Sequence, residues 1–453
     1  MIYFSDRNKE IVALETSNGN YTFGDIYEKS NEISKSLKSM FQAQETILVS
    51  SENPFIFIAS LFSLYECKMK FCCWNGDSDI NDLYKLVSAS GYLYIDNNED
   101  YSLSKLYEST AYIENDGNFI ITTSGSTGSP KGVSLKIENV INNAKLASEK
   151  IRFKDYNLEK WCIDTDLSLM SAISHLFMAW EARIPLVHLK GYQKKYISDL
   201  FSQNIVGFGG APLQLTNLSN FLTSIKSKSL FISSGDFLTK ENINLINKRH
   251  PDLDICSFYG LTELSGRLCY MSTEDIKMSP GAAGKEIIEN STYINTRNEV
   301  VANSPLLFEG YYRKNMPFEK NNGEFITGDI AKKGVDGIIW LEGRSTDTFK
   351  VSGLKVNRIL VEKVLSKVLS GFEYCVLPVQ HSSMGTCCAL FIQEDINRKT
   401  PSLREIIKSI KETSPSIYIP VFTYIINNLP TLKNGKLDKQ KLIKDHLSFK
   451  RHN

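Results

Sequence analysis

Apolar positions along the chain follow two periodicities. Short continuous runs such as "ETILVS" (45–50) and "GYLYID" (91–96) read as buried strands. Between them, "IYEKSNEISKSLKSMF" (26–41) repeats apolar residues every three or four positions, as one face of a helix does. Up to about residue 340 the two patterns alternate, which predicts an α/β fold: a large N-terminal domain of mixed, largely parallel sheets with helices. The run "PFIFIASLFSLY" (54–65) is apolar nearly throughout and is followed by Glu66, Lys68 and Lys70. At about a dozen residues it falls short of the ~20 that a span needs, so it reads as a buried helix and no membrane span is expected.

Beyond about residue 340 the texture changes. Asp336-Gly337 signals a hairpin, followed by a strand, a polar break and a helix from about Ile359. The runs "EYCVLPV", "CCALFIQ" and "FTYIINNLP" read as strands, with a helix around "LREIIKSIKE". A small α+β domain of roughly 110 residues is predicted. Its boundary falls within Arg344 to Asp347, which divides the chain into 1–345 and 346–453.

Residues 122–132, "TTSGSTGSPKG", interrupt the apolar pattern between Phe119-Ile120-Ile121 and Gly132-Val133-Ser134-Leu135. So many hydroxyls and glycines oppose a helix, and Pro130 removes a donor, so the stretch reads as a loop between two strands. Amide N–H groups, hydroxyls and the Lys131 ammonium suit a polyphosphate. The pattern is not the Walker loop, because Pro130 rather than glycine precedes Lys131. A flexible linker has a similar composition, so the loop alone leaves both readings open.

Bulk composition removes some classes. The 453 residues carry 52 basic and 51 acidic side chains, a net charge of +1, which gives no footprint for nucleic acid or a membrane surface. The opening "MIYFSDRNKEIVAL" has charges where a secretory signal needs an apolar core. The nine cysteines are scattered, with adjacent pairs at Cys72-Cys73 and Cys387-Cys388 and no Cys-x-x-Cys. Neither a disulfide framework nor a zinc site is expected, and a reducing, cytoplasmic setting is.

Three further segments carry candidate chemistry. In "SFYGLTE" (257–263), Tyr259 offers a flat face to a purine, Thr262 a hydroxyl to phosphate and Glu263 a carboxylate to Mg²⁺. A turn at Gly260 beside an ordinary core tyrosine is the alternative. In "FITGDI" (325–330), Asp329 follows an apolar strand and a glycine, where a carboxylate can accept bonds from ribose hydroxyls or simply end a strand. In "LPTLKNGKLDKQKL" (429–442), Asn434-Gly435 forms a turn with Lys436 at its exit, which taken alone reads as a solvated lysine.

Taken in order, these segments resemble the adenylate-forming enzymes: acyl-CoA synthetases, peptide-synthetase adenylation domains and luciferases, the AMP-dependent synthetases and ligases. "YTFGDIYEKSNEIS" is similar to the family's opening segment, "TTSGSTGSPKG" to its phosphate loop and "ISSGDFL" (232–238) to its adenine turn. "SFYGLTE", "GAAGK" (281–285), "FITGDI", "GRSTDTFKVSGLKV" and "LPTLKNGKLDK" follow in the family's sequence of motifs. The resemblance implies that Thr123, Ser124, Gly125, Ser126, Thr127, Gly128 and Lys131 hold the ATP phosphates. Gly235 and Asp236 would border adenine, with Tyr259 and Gly260 against it. Thr262 would contact the α-phosphate, Glu263 would hold Mg²⁺, Asp329 and Arg344 would bind ribose, and Lys436 would be the catalytic lysine of a mobile C-terminal domain.

The implied reaction has two halves. A small carboxylic acid attacks the α-phosphorus of ATP and expels pyrophosphate, and a thiol then takes the acyl group and releases AMP. The thiol belongs to CoA or to the phosphopantetheine of a separate carrier protein, and the small domain rotates between the halves so that "KVSG" (350–353) lines the thiol channel. Two departures stand out: Thr346 occupies the usual hinge position beside Asp347, and "SLYECKMKFCCWNGD" (63–77) matches poorly.

The acid pocket is expected along 165–180 and 205–215 and around Ser234 and 259–264, with Asp166, Ser171, His175 and Gly209 as candidates. If Asp166-Leu167-Ser168 is the amino-acid anchor of the peptide synthetases, Asp166 pairs with a substrate ammonium and the substrate is an amino acid. If "SAISHL" (171–176) instead matches the helix of the aryl and acyl ligases, Asp166 only borders the pocket; this alignment needs no gap and points to an aryl or aliphatic acid. His175 is then a pocket residue or a packed one. A non-catalytic nucleotide-binding regulator is the remaining alternative, opposed by the presence together of Lys131, Glu263, Asp329 and Lys436.

Overall fold

The apolar runs assemble into two large sheets. The computed structural model describes residues 9–74, 80–95, 101–106, 115–124, 130–345, 348–351, 354–366, 368–381, 385–395, 398–413, 416–430 and 437–449. The chain divides into two compact units: Met1–Tyr293 with Val301–Phe325 and Val335–Ile339, and Ile294–Val300 with Ile326–Gly334 and Trp340–Asn453.

In the first unit, a nine-stranded sheet runs Lys285–Glu286, Gly266–Met271, Asp254–Leu261, Leu230–Ser234, Val206–Gly210, Lys160–Ile163, Leu186–His188, Val12–Thr16, Gly19–Thr22. Its interior pairings are parallel and its edges antiparallel. An eight-stranded sheet runs Glu319–Lys320, Gly310–Arg313, Pro130–Leu135, Phe119–Ser124, Lys70–Trp74, Thr46–Ser50, Ala89–Ile95, Tyr101–Lys105. Val49, Phe71 and Ile121 of this sheet share one core cluster with Trp161, Ile232 and Phe258 of the other and with Phe57, Ile173 and Phe177 from helices. Each such side chain contributes about 1.5–3 kcal/mol on full burial.

The helix expected over 26–41 spans Phe23–Met40 and starts in a capping box, Thr22 accepting from the Asp25 amide and Asp25 from the Thr22 amide. The apolar run forms the helix Pro54–Glu66, capped by Asn53 and buried from Phe55 through Leu64. Among the described residues no helix is long and apolar enough to cross a membrane. All nine cysteines are buried, and none is in a disulfide among the described residues. Burial pushes the Cys72 and Cys388 thiols up to about 12.

Towards the second unit, Phe325–Lys333 and Ile339–Arg344 are neighbouring strands joined by a turn at Asp336-Gly337, where Gly337 has φ +79° and Asp336 accepts from the Ile338 amide. Within that unit, Asn357 caps the helix Arg358–Leu365. A three-stranded sheet follows: Tyr374–His381 and Gly385–Gln393 antiparallel, Phe422–Ile426 parallel to the latter. Alternation along the first strand sends Val376 to one apolar cluster and Cys375 and Leu377 to another, as a strand buried on both faces requires. The helix Leu403–Thr413 contributes Ile406 and Ile410 to the first cluster, and Lys439–Asp445 contributes Leu442 to the second.

Candidate active site

The stretch read as a loop, 122–132, is strand at both ends: 122–124 close the strand Phe119–Ser124 and 130–132 open its antiparallel partner Pro130–Leu135, with Thr123 opposite Lys131. That register puts Lys131 one residue into the exit strand. Gly125, Ser126, Thr127 and Gly128 lie outside the described residues, as do Thr346, Asp347 and Lys436, and nothing is described of the Ser124 side chain. Thr123 Oγ1 is buried and, among the described residues, has no hydrogen-bond partner.

Most of "SFYGLTE" is strand. The strand runs Asp254–Leu261, and Thr262–Leu264 then form one 3₁₀ turn before the antiparallel strand Gly266–Met271. Gly260 lies beside a bulge in this pairing, not in a turn. A Cβ on Gly260 would sit 1.9 Å from the Gly266 carbonyl oxygen, so only glycine permits the close approach.

That turn delivers Glu263, 7% exposed, to Lys131: Nζ lies 2.8 Å from Oε1. The Tyr311 hydroxyl donates to the same oxygen at 2.8 Å. Tyr311 comes from Gly310–Arg313, which pairs with Pro130–Leu135 so that Tyr311 faces Val133 and Arg313 faces Lys131. The Lys131 ammonium lies 4.1 Å from the centre of the Tyr311 ring and the Arg313 guanidinium 4.7 Å. Burial, and then the Glu263 charge, push the Tyr311 phenol well above its ordinary value, which keeps it a donor. Sequence reasoning does not single out Tyr311; "EGYYR" gives only a glycine beside two aromatics.

One buried carboxylate beside a lysine fits Mg²⁺ as that ion is usually held, through one or two protein oxygens plus substrate phosphates. No group of three or more metal-ligating side chains occurs among the described residues.

Gly235 follows the strand Leu230–Ser234 with φ +89° and open space where a side chain would stand. Asp236 is exposed, its carboxylate accepting from the Phe237 amide. Tyr259 and Thr262 are half-buried along the motif strand and its turn.

In the second unit Asp329 is interior to its strand rather than at a strand end, because Gly328 at φ +74° lets the chain kink and continue. The Arg344 Nε donates to Asp329 Oδ1 at 2.8 Å, with Asp329 buried and Arg344 exposed.

The expected acid-pocket residues separate into two groups. Asp166 is engaged locally: its Oδ1 accepts from Ser51 Oγ at 2.7 Å and from the Ser168 amide at 2.8 Å. Ser171 is half-buried at the start of the helix Met170–Glu181. His175 is 1% exposed and stacks on Trp161 at 5.4 Å. A Cβ on Gly209 would lie 2.4 Å from the His175 ring. The His175 Nδ1 faces the Arg267 guanidinium at 3.2 Å, and its Nε2 has no partner among the described residues. Burial and the Arg267 charge hold the imidazole well below its usual value, so it is neutral. Arg267 likewise escapes the motif reading, though an arginine inside the apolar run "LSGRLCYM" is a visible signal.

A family model described as AMP-binding enzyme matches residues 82–312. A mycosubtilin synthase of Bacillus subtilis is 22% identical over 97% of this chain, which spans 19% of that protein's length. A 2-succinylbenzoate–CoA ligase of Listeria monocytogenes is 22% identical, over 72% of this chain and 70% of the ligase. In fold, the chain is similar to the O-succinylbenzoate coenzyme A synthetase of Bacillus subtilis solved with ATP and magnesium ion, with a TM-score of 0.78 and 18% identity over 96% of this chain and 97% of the other.

Proposed function

The chain belongs to the AMP-binding enzyme family, and from that premise we propose that it is an AMP-forming acid–thiol ligase. It joins a carboxylic acid to AMP with release of pyrophosphate, then passes the acyl group to a thiol with release of AMP. The observation that carries this reading is the Lys131–Glu263–Tyr311 cluster at the exit of the hydroxyl-rich loop.

The chemistry explains the cluster. A carboxylate and a triphosphate repel each other, so the site must supply positive charge and hold an in-line geometry. Residues 123–128 and Lys131 receive the phosphates, Thr262 orients the α-phosphate and Glu263 holds Mg²⁺, which neutralises phosphate charge when bound. Tyr311 fixes the Glu263 carboxylate. Gly235, Asp236, Tyr259 and Gly260 border the adenine, Asp329 and Arg344 take the ribose hydroxyls, and Lys436 supplies a second ammonium to the adenylation step. In this reading 1–345 is the adenylation domain and 346–453 the mobile small domain.

The engagement of Asp166 by Ser51 and Ser168 favours an acid without an ammonium group over an amino acid. CoA is the first acceptor to test, because a CoA ligase is among the relatives that this chain covers over most of their length; a carrier phosphopantetheine is the second. A cytoplasmic setting suits both. ATP–pyrophosphate exchange across aryl, aliphatic and amino acids tests the first half, and thioester formation on adding CoA tests the second. Exchange with no acid would overturn the proposal, and exchange confined to amino acids would reassign Asp166.

A further inference from the structure

Arg267 is a cation buried, among the described residues, without an anion. It is 5% exposed. Its guanidinium lies 4.9 Å from the centre of the Phe258 ring, and its terminal nitrogens reach only neutral acceptors: the Ser174 carbonyl at 3.4 Å and His175 Nδ1 at 3.2 Å. Among the described residues no carboxylate pairs with it. A guanidinium has five N–H donors, and a buried charge is retained at a cost unless an anion meets it. Burial alone draws its pKa down to about 9.

Its position is informative. Arg267 is paired directly across from Gly260 in the strand that leads to Thr262 and Glu263, which puts the two backbones about 5 Å apart. The surroundings are polar and closely packed. Ser174 Oγ, His175 Nε2 and Ser234 Oγ are buried and, among the described residues, without a hydrogen-bond partner. Gly266 lies where a Cβ would meet Ser174 Oγ at 2.6 Å, and Gly209 where one would meet the His175 ring. These residues cluster towards the carboxyl ends of the parallel strands Val206–Gly210 and Leu230–Ser234, where open α/β sheets bind ligands.

We infer that Arg267 is the anchor for a second carboxylate on the substrate acid: the enzyme takes short diacids, one carboxylate going to the α-phosphate near Thr262 and the other to the Arg267 guanidinium. This rests on the adenylation reading. His175 positions the anchor through Nδ1, and its neutral ring leaves the positive charge to Arg267.

The test is ATP–pyrophosphate exchange with matched pairs, glutarate against its monomethyl ester and phthalate against its monomethyl ester, in the wild-type chain and in R267M. The wild type is expected to prefer the diacid at least tenfold in kcat/KM. R267M should bring the ratio near one, with the KM for ATP unchanged and thermal stability equal to or above wild type, since methionine fills the volume without a buried charge. Equal use of diacid and monoester by the wild type would overturn the inference and leave adenylation standing. A parallel fall for both in R267M would overturn it too, by assigning Arg267 to the reacting carboxylate. Exchange with none of the acids, including the wider panel above, would sink the adenylation reading and this inference with it.

Discussion

The Lys131 ammonium lies 2.8 Å from Glu263 Oε1, although 132 positions separate the two in the chain. The carboxylate that would face a metal–nucleotide complex is thus already held by Lys131 and by Tyr311, with 9% of its side chain exposed. Nucleotide binding would replace a lysine–carboxylate contact by lysine–phosphate and metal–carboxylate contacts, while the Tyr311 bond is free to persist.

Removing that bond should therefore act on the metal. A hydrogen bond to a charged group is worth about 1.5–3 kcal/mol, so Tyr311→Phe is expected to raise the Mg²⁺ concentration for half-maximal pyrophosphate exchange by roughly tenfold. Glu263→Gln should lower exchange by ~10²–10³, the usual effect of removing one preorganised electrostatic group. Mg²⁺ titrations of exchange rate in both variants check the pair; an unchanged midpoint in Tyr311→Phe would reduce Tyr311 to a packing residue.

Lys436→Ala should abolish most adenylation, again by ~10²–10³, while the circular dichroism spectrum and melting temperature stay at wild-type values. Near wild-type exchange would remove Lys436 from the chemistry.

Gly260→Ala inserts a methyl group 1.9 Å from a backbone carbonyl oxygen, and neither strand can yield without losing its pairing. Overpacking of this kind costs about 1–3 kcal/mol or more. A clear fall in melting temperature is expected, and wild-type stability would show that the two strands separate easily.

Acid should destabilise the first unit through two histidines. Burial holds His175 and His188 below the usual 6.5, so the unfolded chain binds protons that the native state refuses. Their contribution is fully present above about pH 6.5 and is lost as pH falls below it, by up to ~1.4 kcal/mol per pH unit for each group. Denaturation from pH 7.5 to 5.5 should show this slope, and His175→Gln should flatten it; an unchanged slope would place the effect elsewhere.

Local pattern carries far. The helix Phe23–Met40, the buried helix Pro54–Glu66, the paired strands Phe119–Ser124 and Pro130–Leu135 and the strand–helix series of the second unit all stand where periodicity and turn residues put them. Such elements are set by neighbours three or four residues away, which a sequence displays directly. "SFYGLTE" and "FITGDI" are less legible, because Gly260 serves a close strand approach and Gly328 a kink within a strand, and glycine alone does not say which.

Motif order, also a property of the chain, determined the family and the expectation of a two-half reaction, and it nominates the residues proposed to face the nucleotide. Tertiary structure decided which charges meet. Tyr311 reaches Glu263 across 48 positions and Arg267 reaches His175 across 92, through sheet register and helix packing that no local pattern encodes. The fold likewise left Asp166 satisfied by Ser51 and Arg267, among the described residues, without an anion. Hydrophobic periodicity fixes which face of each element is buried, but the partner of a buried charge depends on which elements come together.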